Sequence, residues 1–412
     1  MHNKRKIVND PVYGFVTISS GLLFDLIEHP WFQRLRRIRQ LGMTGFVYPG
    51  ALHTRFHHAL GAMHLMQEAI ETLRMKGFGI TEKEAEATLV AILLHDIGHG
   101  PYSHALEHSI VDGMCHEDLS VLMMQHLNKQ FNGRLELAIK IFTNNYHKHF
   151  LHQLVSSQLD MDRLDYLKRD SFYTGVSEGV INTDRIIKML TVHNDEIMVE
   201  DKGIYSVEKF IVARRLMYWQ VYYHKTVVSA ENMLINLLAR AKKLAESGVD
   251  LFATPVFLHF LQHRFTSDDF ANDLSLIESF AQLDDYDVFT SIKIWANHPD
   301  KVLSILSSSL VNRHLFKIEL RDRPFEEYEI SNIKSGIRET WPLLDDESTD
   351  YLICKGSITN NAYIPEYDKI NILQRDGTVC DIAESSDQLN VSVLTSTVTK
   401  YFMCYPKNLI VD

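Results

Sequence analysis

The sequence predicts a mainly α-helical protein with short β-hairpins and a small mixed α/β lobe at its C-terminal end. Three observations carry that prediction. Apolar residues recur at helical spacing from Arg55 to Lys76 (Phe56, Leu60, Met63, Met66, Ile70, Leu73), and helical patterning returns through 117–143, 150–170 and 206–246. Thr81 followed three residues later by Glu84 is a capping box that opens a further helix. Beyond about residue 330 the composition shifts and strand-like runs replace the helical period.

The first element is a short strand, "VYGFVTIS" at 12–19. The next stretch, "SSGLLFDLIEHPWFQRLRRIRQLG", reads as helical, with Ser19 or Ser20 as N-cap and Pro30 dividing it in two. Gly77 ends the helix that begins near Arg55. The apolar run Leu89 to Leu94 carries the capped helix to His95 and Asp96, where Gly98, Gly100 and Pro101 stop it. In "DEIMVEDKGIYSV" the alternation around Asp201-Lys202-Gly203 signals a hairpin. "DKINILQRDGTVCDI" and "TKYFMCYPK" read as strands with a turn at Gly377. The expected division is a catalytic domain with a helical extension at 1–330 and the α/β lobe at 335–412. With no repeat or low-complexity linker, the lobe is expected to be docked.

The 412 residues allow a large core, and 45% hydrophobic with 23% charged content is ordinary for a globular chain. A net charge of -11 argues against a protein that coats nucleic acid, which needs clustered Lys and Arg. A small phosphorylated substrate needs only a local basic site. Four scattered cysteines fit neither a disulfide framework nor a CxxC zinc site. The start "MHNKRKIVND" has no following apolar region, and no run of 18 apolar residues occurs. The expectation is a cytoplasmic protein, neither secreted nor membrane-spanning.

Chemistry concentrates in "LLHDIGHGPYSH", residues 93–104. A His-Asp pair at a helix end often only faces water. Here Leu93, Leu94 and Ile97 flank it, so the pair is expected to be partly buried, where a metal would satisfy both groups. Further donors stand in "TRFHHALG" (His57, His58) and in "LDMDRLDYLKRD" (Asp160, Asp162, Asp165). Asp162, Tyr166, Arg169 and Asp170 share one helical stripe, whereas Asp160 points elsewhere. A site of two His and two Asp leaves coordination positions open for water and substrate.

The stretches "IVNDPVYGFVTIS", "PWFQRLRRIRQLG", "YPGALHTRFHHALG", "LLHDIGHGPYSH", "MDRLDYLKRD" and "VYYHK" together resemble the HD-domain deoxynucleoside triphosphate triphosphohydrolases, particularly the HD core of the vertebrate SAM- and HD-domain enzyme. The resemblance runs through most of residues 6–320, and no SAM segment is expected. It implies an HD-domain helical core with metal ligands His58, His95, Asp96 and Asp162, His57 being a neighbour. It further implies that the metal, with a second ion, holds the water that attacks the α-phosphorus of a dNTP, releasing deoxynucleoside and triphosphate. The ion is left open among Fe, Mn, Zn, Ni and Mg, since mixed N and O sites accept several; a second Mg is expected with the nucleotide. His104, steered by Glu107, falls in the place of the general acid. His99 and His116 fall against the phosphates, with Glu117 as acidic partner. Arg55, Arg163 and Arg214 match phosphate-contacting positions. Gln40, Leu41, Tyr166, Asp170 and Tyr222 match the deoxyribose pocket, and Tyr218 stands where the vertebrate enzyme has His, which leaves base preference open.

The family's activator sites are matched in part. Lys6, Val8, Asn9, Gln33 and Arg36 fit a guanine-nucleotide site in which Glu28 replaces Asp. Val47, Tyr48, Lys202, His224, Lys225, Arg313 and Lys317 fit a second nucleotide pocket, although Glu200 and Gln220 replace basic residues there. Because such sites lie between subunits in the family, a homo-oligomer, dimer or tetramer, is implied. Two other readings stand beside the dNTPase: an HD-type phosphohydrolase of another nucleotide or phosphoester, and a nucleotide-sensing or nucleic-acid-binding protein with a vestigial site.

Overall fold

The structure is a computed structural model and describes residues 6–103, 113–360, 363–364, 368–385, 397–407 and 409. The helix Arg55–Met75 packs on both Glu82–Leu94 and Met161–Thr174. Its apolar positions Phe56, Leu60, Met63, Met66, Ile70 and Leu73 are all buried, each contributing about 1.5–3 kcal/mol of transfer free energy. Local chemistry starts it: the Thr54 backbone N–H donates to His57 Nδ1 at 3.2 Å, and Thr54 Oγ1 lies 2.9 Å from the same atom. His57 is thereby a capping group. The Thr81–Glu84 capping box is present, with Thr81 N–H donating to Glu84 Oε2 at 2.8 Å.

A second helical layer is built on Lys225–Glu246, which packs against Lys301–Val311 and Pro255–Gln262. Between Ile204–Met217 and this helix lies one π-helical turn, Tyr218–Tyr222. As expected, Pro30 begins a new helix, Pro30–Gln33, after Gly21–Ile27. No helix among the described residues is long and apolar enough to cross a membrane.

Among the described residues three small sheets complete the fold. Strands β1 (Lys6–Asp10) and β2 (Gly14–Ile18) form a hairpin with Lys6 opposite Ile18. Strands β3 (Leu190–His193), β4 (Glu196–Glu200), β7 (Asn371–Leu373) and β8 (Val379–Asp381) form a sheet in that order, with β4 and β7 parallel. The third sheet places β9 (Val398–Tyr405) between β5 (Lys317–Arg321) and β6 (Cys354–Asn360).

Two expectations need amendment. The hairpin turn lies at Asn194-Asp195, both at positive φ (51° and 64°), and Asp201–Gly203 is instead a 3-10 turn leading into the next helix. Asn and Asp tolerate the left-handed region that a tight hairpin requires. The division expected at 330–335 falls inside the helix Glu327–Thr340, and two sheets join strands from either side of it.

Candidate metal centre and adjoining cavity

Four side chains from three elements converge. His58 comes from the first turn of Arg55–Met75, His95 and Asp96 follow Glu82–Leu94, and Asp162 stands in the first turn of Met161–Thr174. His58 Nε2 lies 3.2 Å from His95 Nε2, 3.0 Å from Asp162 Oδ1 and 3.7 Å from Asp96 Oδ2. His95 Nε2 lies 3.4 Å from Asp96 Oδ1 and 3.6 Å from Asp162 Oδ1.

The far nitrogens fix the tautomers. His95 Nδ1 is 2.6 Å from the Ile92 carbonyl, an acceptor only, so Nδ1 carries the proton. His58 Nδ1 is 2.7 Å from Asp165 Oδ2, and Asp165 is in turn held by Arg169 Nε and Nη2 at 2.9 and 3.0 Å. Arg169 Nη1 reaches Asp10 at 2.8 Å, so the chain of charges ends at the first hairpin. Both Nε2 lone pairs therefore face each other and two carboxylates. Such a convergence demands a cation. Without a metal the cation is a proton: against burial, Asp162 and Asp165 raise His58 to about 10, and His95 is raised as well. Two imidazoles and two carboxylates, with protonated rear nitrogens held by acceptors, fit a divalent ion. Asp165, one of the candidate donors in the sequence, thus supports a ligand from behind, and Arg169 holds Asp165 in turn.

The turn after Asp96 is held as firmly. Ser120 Oγ donates to the His95 carbonyl at 2.7 Å and accepts from Gly98 N–H at 3.0 Å. A Cβ at Gly98 would sit 2.3 Å from the His116 carbonyl, so only glycine lets the helix His116–Gln130 come this close. The His99 and His116 rings stack at 3.8 Å. His99 Nε2 lies 3.3 Å from Asp96 Oδ1, and a second donor group, Asp96 with His99 and His116, stands beside the first. Burial and the charge of Arg55 hold the His99 imidazole well below its usual range. Arg55 pairs with Asp96 and donates from Nε to Ser103 Oγ at 2.8 Å. Although burial opposes it, Arg55 with His95 and His99 holds the Asp96 carboxyl well below the usual range. Tyr102 and Ser103, both at φ 55°, are pinned from behind: Asp285 accepts from Tyr102 N–H at 2.7 Å and from Arg39 N–H at 2.9 Å.

A cavity of about 460 Å³ opens from Asp96 and Asp162, within the range of small-ligand sites. Gln40, Leu41, Arg55, His99, His116, Glu117, Arg163, Tyr166, Asp170, Tyr218 and Tyr222 all line it. Asp170 accepts from Tyr222 Oη at 2.8 Å and contacts His53 Nε2 at 2.7 Å. The π turn sets Tyr218 and Tyr222 edge to face, ring centroids 5.1 Å apart.

Arg214 is not on the described wall; it is buried, donating to Gln158 Oε1 at 3.0 Å with its guanidinium 6.0 Å from the Tyr218 ring. His104 and Glu107 lie outside the described residues. The positions matched to activators fall in separate groups. Lys6 pairs with Glu28 at 3.3 Å, and Arg36 Nε donates to Gln33 Oε1 at 2.8 Å, with Val8 and Asn9 on β1 nearby in sequence. Tyr48 and His224 are 6.0 Å apart, and Arg313 donates to the Phe46 carbonyl beside Val47. Lys225 opens its helix, Lys202 lies in the Asp201–Gly203 turn, and Lys317 pairs with Glu319. Glu200 is paired with Lys76 at 2.6 Å, and Gln220 contributes its carbonyl to Tyr48.

Comparisons with known proteins agree with this geometry. Residues 55–170 match the family model described as HD domain, and 181–252 the one described as HD associated region. An uncharacterised Bacillus subtilis protein, YwfO, is 33% identical across 100% of this chain and 94% of its own length. The crystal structure of a phosphohydrolase from Bacteroides thetaiotaomicron is 54% identical, with a TM-score of 0.94, covering 98% of this chain and 100% of that one. The human deoxynucleoside triphosphate triphosphohydrolase SAMHD1 is 29% identical over 58% of this chain and 45% of its own length.

Proposed function

The chain belongs to the HD-domain phosphohydrolases, and from that premise we propose that it hydrolyses deoxynucleoside triphosphates to deoxynucleoside and triphosphate. One observation carries the reading: Asp96 and Asp162 of the four-ligand cluster share one cavity lining with Arg55, Arg163 and an Asp170 already held by Tyr222 and His53. That lining combines cations suited to phosphate with a hydrogen-bonded carboxylate suited to a sugar hydroxyl.

His58, His95, Asp96 and Asp162 would hold a divalent cation, which supplies charge neutralisation on phosphate oxygens and a water acidic enough to act as nucleophile near neutral pH. The side chains around it do the rest. Arg55 and Arg163 offset the triphosphate charge in an acidic protein. His99, kept neutral, presents a hydrogen-bonding nitrogen to a phosphate oxygen without adding charge, and His116 supports it by stacking. His104, steered by Glu107, donates the proton to the leaving 5′ oxygen. Asp170, with Tyr222 and Tyr166, accepts from the 3′ hydroxyl, and Gln40 and Leu41 close the space a 2′ hydroxyl would need. Arg214 would join the phosphates only by leaving Gln158. Activation by a guanine nucleotide and homo-oligomerisation are part of the same reading, since Lys6, Glu28, Gln33 and Arg36 stand partly exposed beside the first hairpin.

The test is incubation of metal-loaded protein with the four dNTPs and four rNTPs, with and without GTP, and identification of the products. Triphosphate from dNTPs alone supports the reading. Release of inorganic phosphate moves the substrate elsewhere within the family, and binding without turnover points to a sensor.

A further inference from the structure

Residues 38–40 run beside 53–55 as a short antiparallel ladder. The Arg55 N–H donates to the Ile38 carbonyl at 3.0 Å and the Gln40 N–H to the His53 carbonyl at 3.1 Å, with Arg39 bridged to Thr54 between them. The backbone of His53 thus holds Gln40, which lines the cavity. Its side chain holds a second lining residue. The imidazole is fully buried, and its Nε2 lies 2.7 Å from Asp170 Oδ1, while Tyr222 Oη donates to Asp170 Oδ2 at 2.8 Å. Each carboxylate oxygen of Asp170 therefore carries one partner, which fixes the plane of the group.

The ring itself is set by two further contacts. Tyr173, three residues after Asp170 on the same helix, stacks on it with centroids 4.4 Å apart and planes at 17°. Gly50 permits that approach, since a Cβ there would lie 2.5 Å from the Tyr173 carbonyl. His53 Nδ1 is buried with no hydrogen-bond partner among the described residues. Buried N–H groups are rarely left orphaned, so the proton sits on Nε2 and points at Asp170.

We propose that His53 is the positioning residue for recognition of the 3′ hydroxyl. Its Nε2–H and its carbonyl fix Asp170 and Gln40, so that the lone pairs of Asp170 not taken by His53 and Tyr222 are aimed at that hydroxyl. The inference rests on the dNTPase reading for its substrate class. Held by Tyr222 alone, the carboxylate would turn about its terminal torsion, which has no steep staggered wells. A hydrogen bond weakens steeply as its angle falls.

The experiment uses the full, metal-loaded protein and compares each dNTP with its 2′,3′-dideoxy counterpart, which lacks only the 3′ hydroxyl. kcat/KM gives the ratio in turnover, and calorimetry with the α,β-imido forms of both gives it in binding alone. Wild type is expected to favour the dNTP about 10–100-fold, as a hydrogen bond to a charged group does. His53→Gln places an amide nitrogen where Nε2 stands and is expected to keep that ratio within about threefold. His53→Asn, whose amide reaches only the place of Nδ1, and His53→Phe, which keeps a ring against Tyr173 but no donor, are expected to bring the pair within about threefold of each other.

The dideoxy compounds separate positioning from mere support of the fold. A wild-type ratio in His53→Asn or His53→Phe, even with both substrates turned over more slowly, overturns the proposal and leaves the hydrolysis reading intact. So does loss of the ratio in His53→Gln, or a wild type that does not distinguish the pair. If no triphosphate is released yet the imido forms give the expected ratios, the hydrolysis reading fails and the role of His53 stands.

Discussion

Asp165 Oδ2 lies 2.7 Å from His58 Nδ1, and this one contact ties the metal centre to the interior of the fold. It keeps the proton on the rear nitrogen, so that Nε2 faces His95, Asp96 and Asp162 as a donor to a metal. Asp165→Asn is expected to weaken divalent-metal affinity about 10–100-fold, the usual effect of losing such a support. Metal titration followed by calorimetry checks it, and excess metal should restore turnover.

Arg55 acts on two partners, Asp96 and Ser103. Lysine keeps the charge but has no fork to reach both. Arg55→Lys is therefore expected to lower kcat/KM about 10–100-fold, because small displacements of aligned groups cost that much. Steady-state kinetics with the preferred dNTP decides it.

Asp285 holds the Tyr102 and Arg39 backbone amides behind the site. Removing the acceptor strands the buried Tyr102 donor and the part-buried Arg39 donor, so Asp285→Ala is expected to cost about 1–3 kcal/mol in urea unfolding. Because the strained Tyr102–Ser103 pair rests on that clamp, activity at saturating metal should fall as well.

Glu84 supplies a pH signature far from the chemistry. Against partial burial, Lys148, Thr81 and Tyr146 lower its carboxyl to about 2. An acid lowered on folding stabilises above its unfolded pKa, about 4.5, and that stability is lost as pH falls through the folded value. Glu84→Gln should therefore cost about 1–2 kcal/mol at pH 7, a charge-assisted bond reduced by solvent screening. The difference from wild type should shrink between pH 4.5 and 2 in denaturant melts.

What the sequence made legible were features whose meaning is local. Thr81 and Glu84 announce their helix within one turn, and His95-Asp96 stands at an apolar run's end. Asp165 stood in the sequence only as one more candidate donor; its contact with His58, 107 residues away, makes it the support of a ligand instead. His53 escaped for the same reason, since its partner Asp170 is 117 residues away. The strand Lys317–Arg321 finds its partner in Val398–Tyr405, so neither alternation nor a turn residue marks the pairing nearby. The misplaced hairpin shows a glycine outweighing the Asn194-Asp195 turn that the backbone uses.

The most direct test of the proposed reaction is the fate of the attacking oxygen. Hydrolysis of a dNTP in ¹⁸O-water by metal-loaded protein, followed by mass spectrometry, should place one ¹⁸O in the triphosphate and none in the deoxynucleoside, as attack at the α-phosphorus with loss of the 5′ oxygen requires. Label in inorganic phosphate, in a deoxynucleoside monophosphate or in the deoxynucleoside would contradict it.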